Sequence, residues 1–403
     1  MRVLRLCSVY GPATLPIGEG RGFDVVGGMQ VHTTLLTAAL DDRGIRQTVM
    51  TAYRPEAARV ESLGRHAQVL RRGVPARRFR QLYAVSSIPD IARLKDVDLV
   101  HVHLGEDLAI MPLGVWAAKE THARLVVTVH CSLRHTLVSH DLRTALLRSL
   151  GGAIELRLLR AAAAVMVLND RLVPRLEAVG VPRSELHLLP LGIDLDALRR
   201  SHARPASMDG RRWIVYAGRV VRAKGVRDLI DAFARLTSPD VGLLVVGDGD
   251  DSASVASIAR RAGLERNVRF VGMVPHTDIP AYLHHADVVV LPSWYEERGR
   301  ILLEAMAAGA PVVATRTGGI PATVTDGENG ILVPPRDPDR LAVAIERVLG
   351  SQDLAASLVA RGRVTASGHG VEALVEATLR AYRSALGRPN DPRGGRGALV
   401  KIR

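Results

Sequence analysis

Short apolar runs alternate with longer amphipathic stretches along almost the whole chain, the pattern of a parallel sheet covered by helices. RVLRLCSV (2–9) reads as a buried opening strand, and the apolar positions of MQVHTTLLTAALDDRG recur at helical spacing until Gly44 stops them. QTVMTA (47–52), DLVHVH (98–103), RLVVTVH (124–130), AVMVL (164–168) and ELHLLP (185–190) continue the strand series, with a basic, irregular stretch around 66–80 among them. A second series comprises WIVYAG (213–218), VGLLVVG (241–247), NVRFVG (267–272), DVVVLPS (287–293), PVVAT (311–315) and GILVPP (330–335). Helical segments fall between these strands, at about 225–236, 252–263, 277–285, 300–309 and 337–349.

Residues 196–212 are polar, contain Pro and Gly, and hold no sustained apolar period, so they read as a linker. The expected architecture is α/β: two Rossmann-like, doubly wound parallel-sheet domains facing across a cleft, at residues 1–195 and 213–370. A helix at 371–387 is expected to pack back on the first domain. Residues 388–403, rich in Pro, Gly and Arg, read as a flexible basic tail.

The length of 403 residues agrees with two cores rather than one. The net charge of +13 suggests an anionic partner, but only Lys95, Lys119, Lys224 and Lys401 are lysines and the other basic residues are arginine. Arg usage on that scale, beside abundant Ala, Val and Gly, reads mainly as a compositional habit. With 3% aromatic residues and no zinc spacing or RNA motif, the chain does not read as a nucleic-acid binder. Cys7 and Cys131 cannot form a disulfide framework and read as reduced core residues of a cytoplasmic protein. The N-terminus has no secretory apolar region, and no apolar run approaches the roughly 18 residues of a membrane span. Peripheral contact with an anionic membrane stays open, as does the oligomeric state.

Two constellations carry chemistry. In AGRVVRAKGVRDLI (217–230) a buried strand ends at Gly218, Arg219 and Lys224 bracket a turn, and Gly225 opens a helix. Two cations converging on a helix N-terminus suit a diphosphate, Arg gripping two oxygens and Lys acting as a point charge. In LPSWYEERGRILLEAMAAGAPVVAT (291–315), Glu296 lies in the loop, Gly299 begins a helix and Glu304 sits within it. A carboxylate near a helix start can be structural. Eight residues apart, the pair can also grip two ends of an extended polar ligand roughly 10 Å long. AspGlyAsp at 248–250 reads as a turn rather than a magnesium site.

These segments, with TGGIPATVTDGENGILVPPRD and GGMQVH, resemble glycosyltransferase family 4, retaining, nucleotide-sugar-dependent enzymes of GT-B fold, over about residues 1–385. The resemblance assigns Arg219 and Lys224, at the strand end marked by Gly218, to the donor diphosphate. It assigns Glu304 to the ribose hydroxyls, Glu296 to the donor sugar's hydroxyls beside Gly299, and backbone groups around Met273 to the base. Gly27 and Gly28 would form the loop near the phosphates and acceptor, and His130 would meet the C6 hydroxyl of the donor sugar. A histidine at a strand end is otherwise a common structural residue. Two positions depart from the family: Glu297 and Arg298 replace its usual Pro and Phe, and Leu191 replaces the Asn of its N-G-(I/V)-D signature. The implied mechanism is front-face attack, with the leaving phosphate accepting the acceptor's proton and no metal or other cofactor required.

The N-terminal segments MRVLRL, FDVVGGMQVHTTLLTAALDDRG and VTVHCS resemble transferases of aminoglycoside-antibiotic biosynthesis, which move N-acetylglucosamine or glucose onto 2-deoxystreptamine. The partners expected are therefore UDP-GlcNAc or UDP-glucose and a small polycationic acceptor, for which Asp24, Glu106 and Asp107 are candidate contacts. An inositol phosphate, glycan or lipid-linked acceptor remains the alternative, favoured by the Arg-rich stretch at 71–80. A nucleotide-sugar epimerase, a phosphorylase or a non-catalytic nucleotide-sugar binder on the same fold is more distant.

Overall fold

The structure is a computed structural model that describes residues 1–11, 28–53, 57–74, 81–105, 107–132, 142–238 and 240–387. Asp24, Gly27, Glu106 and the tail at 388–403 lie outside the described residues. Two compact units emerge: one takes the chain up to Gly192 together with the last helix, the other takes Ile193–Gly370.

The first unit holds strands β1 (Arg2–Cys7), β2 (Arg46–Ala52), β3 (Val60–Leu63), β4 (Ala67–Arg72), β5 (Leu99–Leu104), β6 (Arg124–Val129), β7 (Ala164–Val167) and β8 (Leu186–Leu188). Its helices in the same stretch are α1 (Gly28–Asp41), α2 (Leu82–Ala92), α3 (Ile110–Glu120), α4 (Leu142–Ala161) and α5 (Leu172–Ala178). The sheet order is β3-β4-β2-β1-β5-β6-β7-β8, parallel throughout except for β3 against β4. The stretch around 66–80 is therefore not irregular over its first part. Its strand pattern is disguised by arginine: Arg71 is fully buried, pairs with Glu61 at 2.7 Å and donates to the Ala58 carbonyl at 2.9 Å. Arg72 pairs with Asp90 at 2.5 Å, so both arginines serve the fold, and residues 75–80 lie outside the described residues.

The second unit holds α6 (Leu195–Arg199), β9 (Arg212–Ala217), α7 (Val226–Phe233), β10 (Val241–Val246), α8 (Ser252–Arg261), β11 (Val268–Gly272), α9 (Ile279–His284), β12 (Val288–Leu291), α10 (Arg300–Ala308), β13 (Val312–Thr315), β14 (Ile331–Val333), α11 (Pro338–Leu349) and α12 (Gln352–Ser367). Its sheet is fully parallel, in the order β11-β10-β9-β12-β13-β14. Residues 196–212 belong to this unit. They begin inside α6, whose first turn is capped by Asp194 accepting the Ala197 N–H at 2.9 Å. Arg269 of β11 ties the remainder down through the Ser207 carbonyl and Asp209, both at 2.7 Å. Leu198 is the one buried residue of α6, which is why no apolar period marks it. Helix α13 (Val371–Gly387) returns to the first unit and packs on α1, β6, β7 and β8.

Alternation along the strands decides what each sheet face carries. In β5, Val100, Val102 and Leu104 join the core beneath α2, α3 and α4, with Leu4, Leu6, Val127 and Val129 from the neighbouring strands. Val3, Leu99 and Val126 face α1 and α13, against Leu36, Leu40, Leu374, Ala381 and Tyr382. Arg5, His101, His103 and Thr128 share that second face by register and are also fully buried. An apolar interface thus encloses a strip of polar side chains. Cys7 is buried, and burial pushes its thiol up to about 12, whereas Cys131 lies half-buried just past β6 rather than in the core. Among the described residues no helix is long and apolar enough to cross a membrane.

Candidate functional site

In each sheet the chain reverses its direction of winding beside the first strand, β1 between β2 and β5, and β9 between β10 and β12. Ligands of open α/β sheets bind outside the carboxyl ends of the strands at such points. The described residues singled out in the sequence lie in the segments that follow these strands.

In the second unit β9 ends at Gly218, whose N–H bonds the Val246 carbonyl, and Arg219 follows as an exposed side chain without a hydrogen-bond or ion-pair partner among the described residues. The Tyr216 hydroxyl donates to the Arg219 carbonyl at 2.5 Å and fixes the turn; burial, aided by the nearby Glu296 charge, raises that phenol's pKa. A single 3-10 turn, residues 222–224, brings Lys224 to Gly225, which starts α7 in the left-handed region with φ +65°. A Cβ there would stand 2.0 Å from the Pro292 carbonyl oxygen, so the close approach of the two loops requires glycine.

The opposing loop, 292–299, brings Glu296 onto Lys224. The two side chains form an ion pair, 15% and 18% exposed respectively. Burial opposes the Glu296 charge, but Lys224 and the backbone N–H groups of Gly299 and Arg298 outweigh it and hold the carboxyl below its ordinary range. Glu296 therefore also holds the turn that leads into α10, where Gly299 adopts φ +63°. Trp294 locks the same two loops together. Its backbone N–H bonds the Ala223 carbonyl at 2.9 Å, its indole donates to Asp228 at 2.6 Å, and the Arg336 guanidinium lies 4.4 Å over the ring. Glu297 and Arg298 stand where Pro and Phe were expected: the Arg298 backbone N–H bonds Glu296, as a Phe at that position also could, and Glu297 accepts from the Tyr295 hydroxyl at 2.6 Å.

Glu304 lies in α10, 4% exposed, and accepts from Arg300 Nε at 2.7 Å; His276 Nε2 stands 3.5 Å from the same oxygen. His276 begins the 3-10 turn that follows Met273 in the half-buried segment after β11, so that segment reaches the Glu304 carboxylate. Arg300 and His276 were not singled out from the sequence; the i to i+4 spacing of Arg300 and Glu304 on one helix was the available signal. AspGlyAsp at 248–250 forms a turn: Asp248 accepts from the Gly249 N–H at 2.7 Å and the Ser252 hydroxyl at 2.5 Å. A depression of about 520 Å³ lined by Asp209, Arg211, Asp240 and Arg266 lies at the opposite, N-terminal edge of this sheet.

In the first unit Gly28 opens α1 and is exposed. Asp107 is buried and accepts the Ala109 N–H at 2.9 Å, shaping the entry to α3. His130 directly follows β6, its N–H extending the ladder to the Leu104 carbonyl at 2.9 Å, and its Nε2 lies 3.1 Å from His103 Nδ1. His32 of α1 packs edge-on against it with ring centroids 4.8 Å apart. Burial, reinforced by the Arg5 charge, holds His130 down at about 3, so the ring is neutral at ordinary pH. Leu191, also at a departure from the family, is a buried residue immediately before Gly192, the last residue of the first unit's main segment.

Sequence comparison relates the chain to known enzymes. The pattern described as Glycosyltransferase Family 4 matches residues 26–197, and that described as Glycosyl transferases group 1 matches residues 199–365. A 2-deoxystreptamine glucosyltransferase of Streptomyces kanamyceticus is 30% identical over 388 residues, 89% of this chain and 100% of that protein. The chain belongs to the family 4 glycosyltransferases. A second relative of this transferase, the 2-deoxystreptamine N-acetyl-D-glucosaminyltransferase of Streptomyces fradiae, is 30% identical across 98% of this chain and 99% of its own. Among solved structures, sucrose-phosphate synthase from Thermosynechococcus elongatus superposes with a TM-score of 0.80 at 25% identity, covering 96% of this chain and 100% of that one. The fold of this family 4 transferase is GT-B, and its activity is hexosyl transfer from a nucleotide sugar.

Proposed function

We propose that this transferase moves glucose or N-acetylglucosamine from a UDP-sugar to a hydroxyl of 2-deoxystreptamine, with retention at the anomeric carbon. The observation that carries the acceptor is that two relatives aligned along almost the whole chain are both named for 2-deoxystreptamine while differing in the sugar they transfer. The choice of sugar is correspondingly the freer half of the proposal.

Arg219, exposed and unpaired among the described residues, and Lys224 would take the diphosphate at the carboxyl end of β9. Glu304, preset by Arg300, would take the ribose hydroxyls, with the backbone around Met273 on the base. Glu296 and His130 would meet the sugar, and Gly27 and Gly28 the phosphates and acceptor. Glu296 supports a gripping role rather than a nucleophilic one, because it is engaged by one ammonium and two backbone N–H groups. A retaining glycosidase instead keeps two carboxyls about 5 Å apart across the scissile bond. The acceptor hydroxyl would enter on the face the diphosphate leaves, and a phosphate oxygen would accept its proton. The protein's contribution is then stabilisation of charge on the leaving group and orientation of the acceptor. Asp24, Glu106 and Asp107 are the acidic residues proposed for the polycationic acceptor, although Asp107 already spends one oxygen on the Ala109 N–H.

The test is product detection by mass spectrometry. UDP-glucose, UDP-GlcNAc and GDP-sugars are each offered with 2-deoxystreptamine, inositol phosphate and lipid-linked acceptors, and NMR reads the anomeric configuration. An α-glycoside of 2-deoxystreptamine is expected. Transfer to another acceptor with none to 2-deoxystreptamine overturns the assignment.

A further inference from the structure

Arg5 is fully buried on β1, within the polar strip that α1 and α13 cover. Its Nη1 donates to Thr37 Oγ1 at 2.6 Å and to Gln47 Oε1 at 3.1 Å. Its Nε and Nη2 stand 3.2 and 2.9 Å from one atom, His103 Nε2. A guanidinium has donors and no acceptor and keeps its charge in proteins, so His103 Nε2 must present a lone pair. A neutral imidazole that accepts at Nε2 carries its proton on Nδ1. His103 Nδ1 lies 3.1 Å from His130 Nε2, so His103 donates there and His130 accepts. The same rule then moves the His130 proton to Nδ1.

We propose that Arg5 and His103 are positioning residues that lock His130 as the Nδ1–H tautomer, so that it meets a hydroxyl of the donor sugar as a neutral hydrogen-bond donor. The part about the sugar rests on the reading of His130 given above; the tautomer rests on geometry alone. Both rings are held neutral, His103 by burial, the neighbouring His101 and Arg5, and His130 by burial and Arg5. An imidazolium at either position would have no lone pair and would break the chain of donation. His101 is anchored separately, with Tyr382 and Thr128 each 2.7 Å from one of its nitrogens.

The same geometry argues against the other use of this cluster. His32, His103 and His130 offer nitrogens that all lie within 4.8 Å of one another, a spacing open to a metal ion. With Nε2 held by Arg5, His103 could offer a metal only Nδ1, and lone pairs on both nitrogens make an imidazolate.

The experiment is long-range proton–nitrogen correlation NMR on the full-length, deuterated, nitrogen-15-histidine-labelled protein without substrate, with His130→Gln and His103→Gln assigning the signals. Both His103 and His130 are expected as Nδ1–H tautomers, the reverse of the form an unbonded histidine prefers. Arg5→Met is expected to remove that preference at both rings, and Arg5→Lys, which keeps a donor towards Nε2, to restore it. A wild-type His130 protonated on Nε2 overturns the proposal, and this reading stands even if Arg5→Met fails to fold. Unchanged tautomers in a folded Arg5→Met overturn it as well, as does stoichiometric zinc binding that abolishes the two Nδ1–H signals. No step uses a sugar donor, so a failed transfer assay and a failed tautomer assignment are separate results.

Discussion

The Lys224 ammonium and the Glu296 carboxylate form an ion pair that joins the turn after β9 to the loop after β12. The pair cancels its own charge, so on the proposed reading an arriving diphosphate meets the open Arg219 side chain and a cation already shared with Glu296. It also stabilises the unit that carries it, and the two roles separate by pH.

Glu296→Gln is expected to destabilise the second unit at neutral pH by about 3 kcal/mol, the scale for breaking a largely buried pair from one side. The Glu296 carboxyl is depressed in the folded state from an ordinary 4.5, so its contribution is present above that value and is lost as pH falls through the lower, folded one. Denaturant unfolding of the wild type and variant should therefore differ most near pH 7 and converge in acid. A difference that persists unchanged below pH 3 would mean that the charge is not what stabilises the loop. In turnover, Lys224→Ala should lower kcat by roughly 100- to 1000-fold, the scale for deleting one preorganised charge stabiliser. Unaltered kcat removes Lys224 from the diphosphate.

Arg300 sets the rotamer of Glu304 through a 2.7 Å hydrogen bond within α10. Losing a hydrogen bond to a charged group costs about 1.5–3 kcal/mol, so Arg300→Ala should raise the donor KM by roughly 10- to 100-fold. Acceptor KM should stay within about twofold. Calorimetric titration with the nucleoside diphosphate reads the same loss directly. Equal binding by both proteins would separate Glu304 from the ribose.

Gly225→Ala should be poorly tolerated, because φ is +65° and the new Cβ would stand 2.0 Å from the Pro292 carbonyl oxygen. Left-handed strain alone costs about 1–3 kcal/mol, and the backbone clash adds to it. Differential scanning calorimetry should show the second unit melting several degrees lower. An unshifted transition would show that the two loops are free to separate.

Chelation by EDTA should leave turnover within about twofold. Asp248 is engaged by Gly249 and Ser252, and Asp251 by the Arg227 guanidinium, so this acidic turn has its charge employed in the fold. A tenfold loss restored by magnesium would require a metal-assisted leaving group instead.

The sequence by itself determined the α/β class and most of the strand succession, because apolar runs and their periods are local properties of the chain. It also singled out Arg219, Lys224, Glu296 and Glu304 as candidates, since each lies near a strand end or in the first turns of a helix. It misread residues 67–72, whose alternation contains an arginine that only Glu61 and the Ala58 carbonyl make tolerable in a core. It also passed over α6, where one buried leucine gives no period to detect. What only the tertiary structure decided is which charges are already answered. Lys224 finds Glu296 across 72 residues, and Arg5 finds His103 across 98 and, through it, His130. Such pairings depend on parallel strands placed side by side by long crossovers. No local pattern encodes them, and on the readings proposed above they set both the charge offered to the donor and the proton position on His130.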